Sequence, residues 1–133
     1  MISYLLDTDV CVHAMRDRLP ALRDRFSREE GRLSISVITL AELAFGSLKS
    51  SDPAGNDARL AALVARLVVV PFDTSAIHAY AAIRLVLERD GTPIGPNDLL
   101  IAAQAKAAGL VMVTGNRREF DRVPGLTVET WSV

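Results

Sequence analysis

Several residue types that often reveal function are scarce in this sequence. One cysteine, Cys11, is too few for an internal disulfide, so we expect a reducing, cytoplasmic setting. The two histidines, His13 and His78, have no further cysteine or histidine at ligand spacing, which argues against a zinc site. No apolar run reaches the roughly 18 residues of a membrane span, and no charged leader precedes the first apolar run, so we expect neither export nor membrane insertion.

The sequence also lacks a strong excess of either charge. A formal net charge of −1 and a pI near 6.1 argue against a strong, indiscriminate nucleic-acid binder. A nuclease stays open, because acidic metal ligands offset basic residues in this sum. Thirteen of the fifteen basic residues are arginine, which suits phosphate contacts, although genome composition explains the same bias. With 50% hydrophobic and 23% charged residues, we predict one folded domain over residues 1–133.

Short apolar runs alternate with stretches of helical periodicity along the whole chain. The runs predict four strands and a short fifth, at Ile2–Leu6, Leu33–Val37, Val68–Phe72, Leu110–Thr114 and Leu126–Trp131. Pro71 predicts that the third strand ends early or lies at an edge of the sheet. Because strands alternate with helices, we predict an α/β fold of three layers, α/β/α, with a mostly parallel central sheet of four to five strands.

Three acidic residues stand where a strand-like run gives way to a turn or a helix. Asp7 closes the first run, Glu42 follows the second by about one helical turn, and Asp98 opens a helix after a Gly-Pro-Asn turn. In a parallel sheet these carboxylates would converge at the carboxyl edge, where open α/β folds bind ligands. Carboxylates so close repel one another unless a hard cation such as Mg²⁺ or Mn²⁺ lies among them. This placement favours metal-assisted phosphate chemistry.

Each of these acids also has a purely structural interpretation. Asp7 fits an Asx turn that caps a helix. Glu42 fits a capping box with Thr39, and Asp98 fits a first-turn acid that follows an Asn97 cap. The set as a whole favours the metal site, because all three acids fall on the same side of their strands.

Four motifs in order give the sequence a family resemblance. Together with Val123–Leu126 and Trp131, their order and spacing resemble PIN-domain ribonucleases, in particular the VapC-like toxins of bacterial type II toxin–antitoxin pairs, across essentially the whole chain. The motifs are Tyr4–Cys11, Ser36–Gly46, Gly95–Ala103 and Val113–Phe120.

The resemblance implies a metal-dependent endoribonuclease. It implies that Asp7 and Asp98 hold Mg²⁺ or Mn²⁺, with Glu42 bound directly or through water, and that Asn116 is the fourth member of the cluster. Such an ion activates water and neutralises the phosphate under attack, so no serine, cysteine or histidine nucleophile is needed. Many relatives carry aspartate where this chain has Asn116, an uncharged ligand, so the number of ions, one or two, stays open.

Substrate and partner contacts follow from the same interpretation. Thr114 is positioned to orient water or Asn116, and Arg117 and Arg118 are expected to hold RNA phosphates, with a solvated surface pair as the alternative. The resemblance also implies a cognate VapB-like antitoxin that covers the acidic site, and a homodimer formed through apolar helix faces.

Two other functions compete with the ribonuclease. The opening Asp7-Thr8-Asp9-Val10 resembles phosphatases of the haloacid-dehalogenase type, in which the first aspartate attacks phosphorus. That family also needs a placed lysine and a later acidic pair, which Lys49, Lys106 and the region after Thr114 do not supply. A non-catalytic PIN module that binds RNA or a protein partner is the second alternative.

Overall fold

The computed structural model describes residues 1–131, and within them five strands form one sheet. These strands are β1 Tyr4–Leu6, β2 Leu33–Ser36, β3 Val68–Val70, β4 Val111–Val113 and β5 Val128–Glu129. They lie in the order β3-β2-β1-β4-β5, and every neighbouring pair is parallel. The predicted parallel sheet is confirmed. The first strand of the chain therefore lies at its centre, with its carboxyl end between those of β2 and β4.

Helices cover both faces of this sheet. Their bounds are α1 Thr8–Arg16, α2 Pro20–Arg28, α3 Val37–Lys49, α4 Pro53–Val64, α5 Ile77–Arg89, α6 Pro96–Ala108 and α7 Arg117–Phe120, with a 3₁₀ turn at Thr74–Ala76. Alternation along β1 divides the core, because Tyr4 and Leu6 pack with α1 to α4 while Leu5 packs with α5 and α6. The three-layer α/β/α prediction is confirmed. Among the described residues, no helix is both long and apolar enough to cross a membrane.

The edge strand β3 is shorter and more exposed than its sequence indicates. All five residues Val68–Phe72 are apolar, as in a strand covered on both faces, yet Val68 is 50% exposed. The strand ends at Val70, directly before Pro71, and lies at the edge of the sheet, as the proline predicted.

Helix α6 is buried deeply enough to fix the position of its first turn. The fully buried residues Ile101, Ala102 and Ala103 seat it on the sheet. Gln104, also buried, bonds with the Ser36 hydroxyl, and its amide donates to the Val70 carbonyl at 3.0 Å. These bonds tie α6 to the carboxyl ends of β2 and β3, so the start of α6 is held at the same edge of the sheet.

The predicted single domain runs from residue 1 to residue 133. Its last two residues lie outside the described residues, and the division into one domain stays a prediction.

Candidate active site

Asp7 is the innermost acid at the carboxyl edge of the sheet. It follows β1 directly, is 9% exposed, and caps α1 with an extended backbone. Its Oδ1 accepts from the Thr8 amide at 2.8 Å, and its Oδ2 accepts from the Thr114 hydroxyl at 2.8 Å. Burial raises the pKa of Asp7, and the charges of Asp9 and Glu42 add to that rise, while the two hydrogen bonds oppose it.

Glu42 reaches this edge from α3. The Thr8 hydroxyl donates to Glu42 Oε1 at 3.2 Å, which links the start of α1 to the second turn of α3. The capping box proposed for Thr39 and Glu42 is wrong, because α3 begins earlier. The Ser36 hydroxyl caps the helix by accepting from the Ile38 amide at 3.0 Å, so Thr39 lies inside the helix and is fully buried.

Asp98 meets a second carboxylate that the sequence interpretation missed. Asp98 lies in the first turn of α6, and Glu119 of α7 approaches it across Gly95, whose amide donates to Glu119 Oε1 at 2.7 Å. A Cβ built on Gly95 would lie 3.8 Å from Asp98 Oδ2 and 3.7 Å from Glu119 Oε1. The turn before α6 therefore passes between two carboxyl groups.

The two carboxyl groups shift each other's pKa in opposite directions. Burial raises the pKa of Asp98 to about 8, and the hydrogen bond with Glu119 and the charges of Asp7, Glu119 and Glu42 act in the same direction. That hydrogen bond is also the main cause that lowers the pKa of Glu119. A pair of this kind needs a positive charge between its oxygens, and a proton supplies it when no cation is bound.

The position of Glu119 in the sequence also indicates that it belongs with the other acids. It follows the fourth core strand on the same side as the other acids, three residues after Asn116, at capping-box spacing. The four-residue helix α7 is too short to show periodicity, so no role was predicted for Glu119. Asp7, Glu42, Asp98 and Glu119 are together called the acidic crevice below.

Asn116 and Thr114 occupy neighbouring but different environments. Asn116 is exposed, and its Oδ1 caps α7 by accepting from the Arg118 amide at 3.4 Å. Its role as a fourth ligand stays a prediction. Thr114, predicted among the substrate contacts, is fully buried and donates to Asp7 while it accepts from the Asn116 amide at 3.0 Å. Thr114 therefore holds Asp7 in place and presents no surface to a substrate.

The two arginines expected to contact RNA are exposed next to the acidic crevice. Arg117 forms an ion pair with Asp121 at 3.3 Å, one turn further along, and both side chains are about half exposed. Such a pair is weak, so Arg117 can exchange Asp121 for a phosphate at little cost. Arg118 is exposed as well. Their role as phosphate contacts stays a prediction.

Asp9 fastens the first helix to the end of β4. Its Oδ2 accepts from the Gly115 amide at 3.0 Å, and its Oδ1 accepts from the Val10 amide at 2.8 Å. A Cβ on Gly115 would lie 2.5 Å from Asp9 Oδ2, so only glycine permits this approach. Asp7 is the N-cap of α1, and Asp9 joins α1 to the loop that carries Asn116.

The donor set of the acidic crevice fits a hard divalent cation. Within residues 1–131, no three acidic, histidine or cysteine side chains are already gathered around a point where an ion would sit. Repulsion between the carboxylates accounts for this arrangement, because three of them each accept a hydrogen bond from a nearby donor. Asp7 accepts from Thr114, Glu42 accepts from Thr8, and Glu119 accepts from the Gly95 amide. The carboxylate oxygens are the ligands that Mg²⁺ and Mn²⁺ prefer, and the raised pKa of Asp98 marks where positive charge is needed.

Comparison with known proteins agrees with this geometry. The chain matches the PIN domain family over residues 4–126. It is 40% identical over 132 residues to the tRNA(fMet)-specific endonuclease VapC of Shigella flexneri, with 99% of this chain and 100% of the relative covered. It is 42% identical over 131 residues to the protein of the same name from Salmonella typhimurium, with 98% and 99% covered.

Solved structures show the same likeness. The DNA-bound VapBC complex of Salmonella typhimurium contains a chain that matches with a TM-score of 0.95 at 42% identity, with 99% and 100% of the two chains covered. VapBC2 of Rickettsia felis, bound to a promoter DNA fragment, matches with a TM-score of 0.93 at 36% identity and the same coverage. The haloacid-dehalogenase alternative is excluded by these matches. The chain belongs to the VapC ribonucleases of the PIN-domain family.

Proposed function

We propose that this protein is an endoribonuclease that hydrolyses RNA phosphodiester bonds with Mg²⁺ or Mn²⁺ and acts as the toxin of a toxin–antitoxin pair. The observation that carries the proposal is the acidic crevice, in which α1, α3, α6 and α7 bring four carboxyl groups to one edge of a parallel sheet. PIN-domain ribonucleases in general depend on a divalent cation, and this donor set suits one.

Asp7, Glu42 and Asp98 would hold the cation, with Glu119 as a fourth ligand or a support for Asp98. When bound, the cation lowers the pKa of a coordinated water and neutralises negative charge on the phosphate. Thr114 and the Thr8 amide fix both oxygens of Asp7 before any ligand arrives, which avoids reorganisation during the reaction.

A covalent mechanism through the nearby cysteine is not supported. Cys11 lies one helical turn from Asp7 and is fully buried, and burial raises the pKa of its thiol well above the ordinary value. A buried thiol of this kind stays protonated and is a poor nucleophile. Hydrolysis by water, directed by the carboxylates, is the chemistry that the site supports.

The partner proposals rest on the relatives. The VapBC complexes of Salmonella typhimurium and Rickettsia felis support a VapB-like antitoxin for this chain. The names of the Shigella and Salmonella relatives make tRNA(fMet) the first RNA to test. We expect expression of this chain alone to slow growth and co-expression of the neighbouring small gene to restore it. No growth effect, with no such neighbour, would favour the non-catalytic module.

We also propose a homodimer through apolar helix faces. Phe45 and Leu48 of α3 are 65% and 76% exposed, and Leu85 of α5 is 49% exposed. Exposed apolar groups of this size favour burial against another surface. Light scattering is expected to give twice the mass of the chain, and a Phe45→Ser, Leu48→Ser variant is expected to give one chain mass.

The decisive activity experiment compares RNA cleavage in Mg²⁺, in Mn²⁺ and in excess EDTA. We expect products with 5′-phosphate ends in either metal and none in EDTA. Asp98→Asn keeps the shape of the side chain and serves as the inactive control. Cleavage that continues unchanged in EDTA would overturn the proposal.

A further inference from the structure

A cavity of about 300 Å³ adjoins the acidic crevice between α1, α3 and α4. Thr8 and Glu42, which are hydrogen-bonded to each other, line it at the crevice. Arg16 and Ser50 lie eight residues further along the same two helices and line it too. At the rise of an α-helix this separation is about 12 Å, so the cavity leads away from the acids along the helix axes.

Gly46 leaves open space on the wall of this cavity. It lies in the interior of α3, where glycine costs about 1 kcal/mol of helix stability relative to alanine. A Cβ built on Gly46 would meet no atom within 4 Å, so the described part of the chain gives no packing reason for the glycine. The missing side chain keeps room for a molecule that is not part of this chain.

Ser47 adds an unused hydrogen-bonding group to the same wall. Its side chain is 3% exposed, and its hydroxyl has no hydrogen-bond partner among residues 1–131. Buried hydroxyl groups are rarely left without a partner. Ser47 lines the cavity, so a rotation of its buried hydroxyl towards the cavity would let an occupant with a polar edge supply the missing bond.

Two arginines give the cavity a positive charge. Arg16 and Arg59 line it, and neither has a carboxylate within ion-pair distance in the described part of the chain. Arg59 donates instead to Asn56 Oδ1 at 3.1 Å, a neutral partner. With Glu42 as the one acid on its wall, the cavity has one positive charge in excess, in a protein of net charge −1, and this favours an anionic occupant.

We propose that this cavity is a subsite for the RNA nucleotide next to the scissile phosphate. The base lies against Val12, Met15 and Leu43 and over Gly46, and the phosphate backbone contacts Arg16 and Arg59. The inference rests on the proposed ribonuclease function. A strand held at the acidic crevice must continue past it, and Glu42 belongs to both the crevice and the cavity. The base must leave its stack to enter, so the subsite selects single-stranded RNA.

The test measures binding of a fluorescein-labelled single-stranded RNA by anisotropy, with Ca²⁺ in place of Mg²⁺ and a gel to show that the RNA stays intact. Gly46→Leu fills the cavity, and we expect at least a tenfold loss of affinity with an unchanged or higher Tm. We expect Arg16→Gln and Arg59→Gln each to reduce RNA affinity about three- to tenfold. We also expect each to reduce the slope of log affinity against log salt concentration by about 0.7.

Arg89→Gln is the matched control, because it removes the same charge from the exposed end of α5. We expect its affinity to stay within twofold of the wild type. Ser47→Ala is expected to weaken RNA binding about threefold without lowering the Tm, since it removes a hydroxyl that has no partner in the fold.

Two results would overturn the subsite. In the first, Gly46→Leu and the two cavity arginine variants bind RNA as tightly as Arg89→Gln does. In the second, these variants keep their RNA affinity and lose only a co-purified protein partner, which would make the cavity a protein-binding groove.

The wild type and Arg89→Gln are also assayed for cleavage in Mn²⁺. If both cleave RNA while the cavity variants bind normally, only the subsite fails; if neither cleaves, the proposed function fails.

Discussion

Buried negative charge is stabilised differently on the two flanks of the acidic crevice. On the flank formed by β1, Asp7 is surrounded by neutral donors, the Thr8 amide and the Thr114 hydroxyl. On the flank formed by α6 and α7, Asp98 faces another carboxyl group, Glu119, and its pKa is raised. The first flank is organised without a ligand, whereas the second needs a positive charge. The Asp98 flank is therefore where cation and pH should act most strongly.

Loss of either central carboxylate should have the largest effect. Asp7→Asn and Asp98→Asn each remove one charge with little change of shape. We expect RNA cleavage to fall by about 10²-fold or more, because the cation supplies several kcal/mol of transition-state stabilisation. Single-turnover rates at saturating Mn²⁺ measure this, and a variant that keeps its rate would remove that acid from the site.

A second comparison decides which residue completes the crevice. We expect Glu119→Gln to reduce cleavage by more than the roughly tenfold loss expected for Asn116→Ala, since each tenfold is about 1.4 kcal/mol of barrier. The reason is that Glu119 contacts Asp98, while the Asn116 side chain caps α7. Rates measured side by side test the order. The reverse order would restore Asn116 as the fourth ligand implied by the family resemblance.

Thr114→Val tests the organised flank. The change keeps the volume of the side chain but leaves a buried Asp7 oxygen without its donor, which should lower the free energy of unfolding by about 1.5 to 3 kcal/mol. Denaturant titration of the metal-free protein measures this loss. Thr114→Ser keeps the hydroxyl and is the matched control. Equal stability of the valine variant and the wild type would mean that the hydroxyl does not hold Asp7.

The smallest expected effect is the pH dependence of the metal-free protein. The pKa of Asp98 is raised from 3.8 to about 8, so between these values the folded state keeps a proton that the unfolded state has released. The free energy of unfolding should therefore fall as pH rises towards 8, modestly, because Asp98 is only half-buried. The lowered pKa of Glu119 acts only below its ordinary value of 4.5, at the acid end of this window.

Asp98→Asn should remove this slope and raise the metal-free Tm above pH 7. The melting temperature in EDTA at several pH values measures both effects. A wild type whose Tm rises with pH over this range, with the same slope in Asp98→Asn, would contradict a raised pKa of Asp98.

Much of the fold and three of the four acids of the crevice could be predicted from the sequence. Strand runs and acids at strand ends are local patterns, and they placed Asp7, Glu42 and Asp98 at one edge of the sheet. The contact between Thr8 and Glu42 joins residues 34 positions apart, so no local pattern reports it. The capping box at Glu42 failed for this reason, because a tertiary hydrogen bond and an earlier cap at Ser36 took precedence.

Glu119 was missed for a related reason. Its position in the crevice depends on the approach of α7 to the turn at Gly95, which brings together residues 24 positions apart. Helix α7 has four residues, too few for a periodic pattern. The rule that the carboxyl ends of parallel strands meet at one edge, together with its spacing from Asn116, would have marked Glu119 in advance.

Calorimetric titration with Mn²⁺ tests the central claim most directly, because it measures the cation site without RNA. We predict that the wild type binds Mn²⁺, that Asp98→Asn weakens binding by about 10²-fold, and that Glu119→Gln weakens it by about tenfold, since carboxylates attract a divalent cation more strongly than amides do. Equal Mn²⁺ affinity in the wild type and Asp98→Asn would contradict a cation held in the acidic crevice.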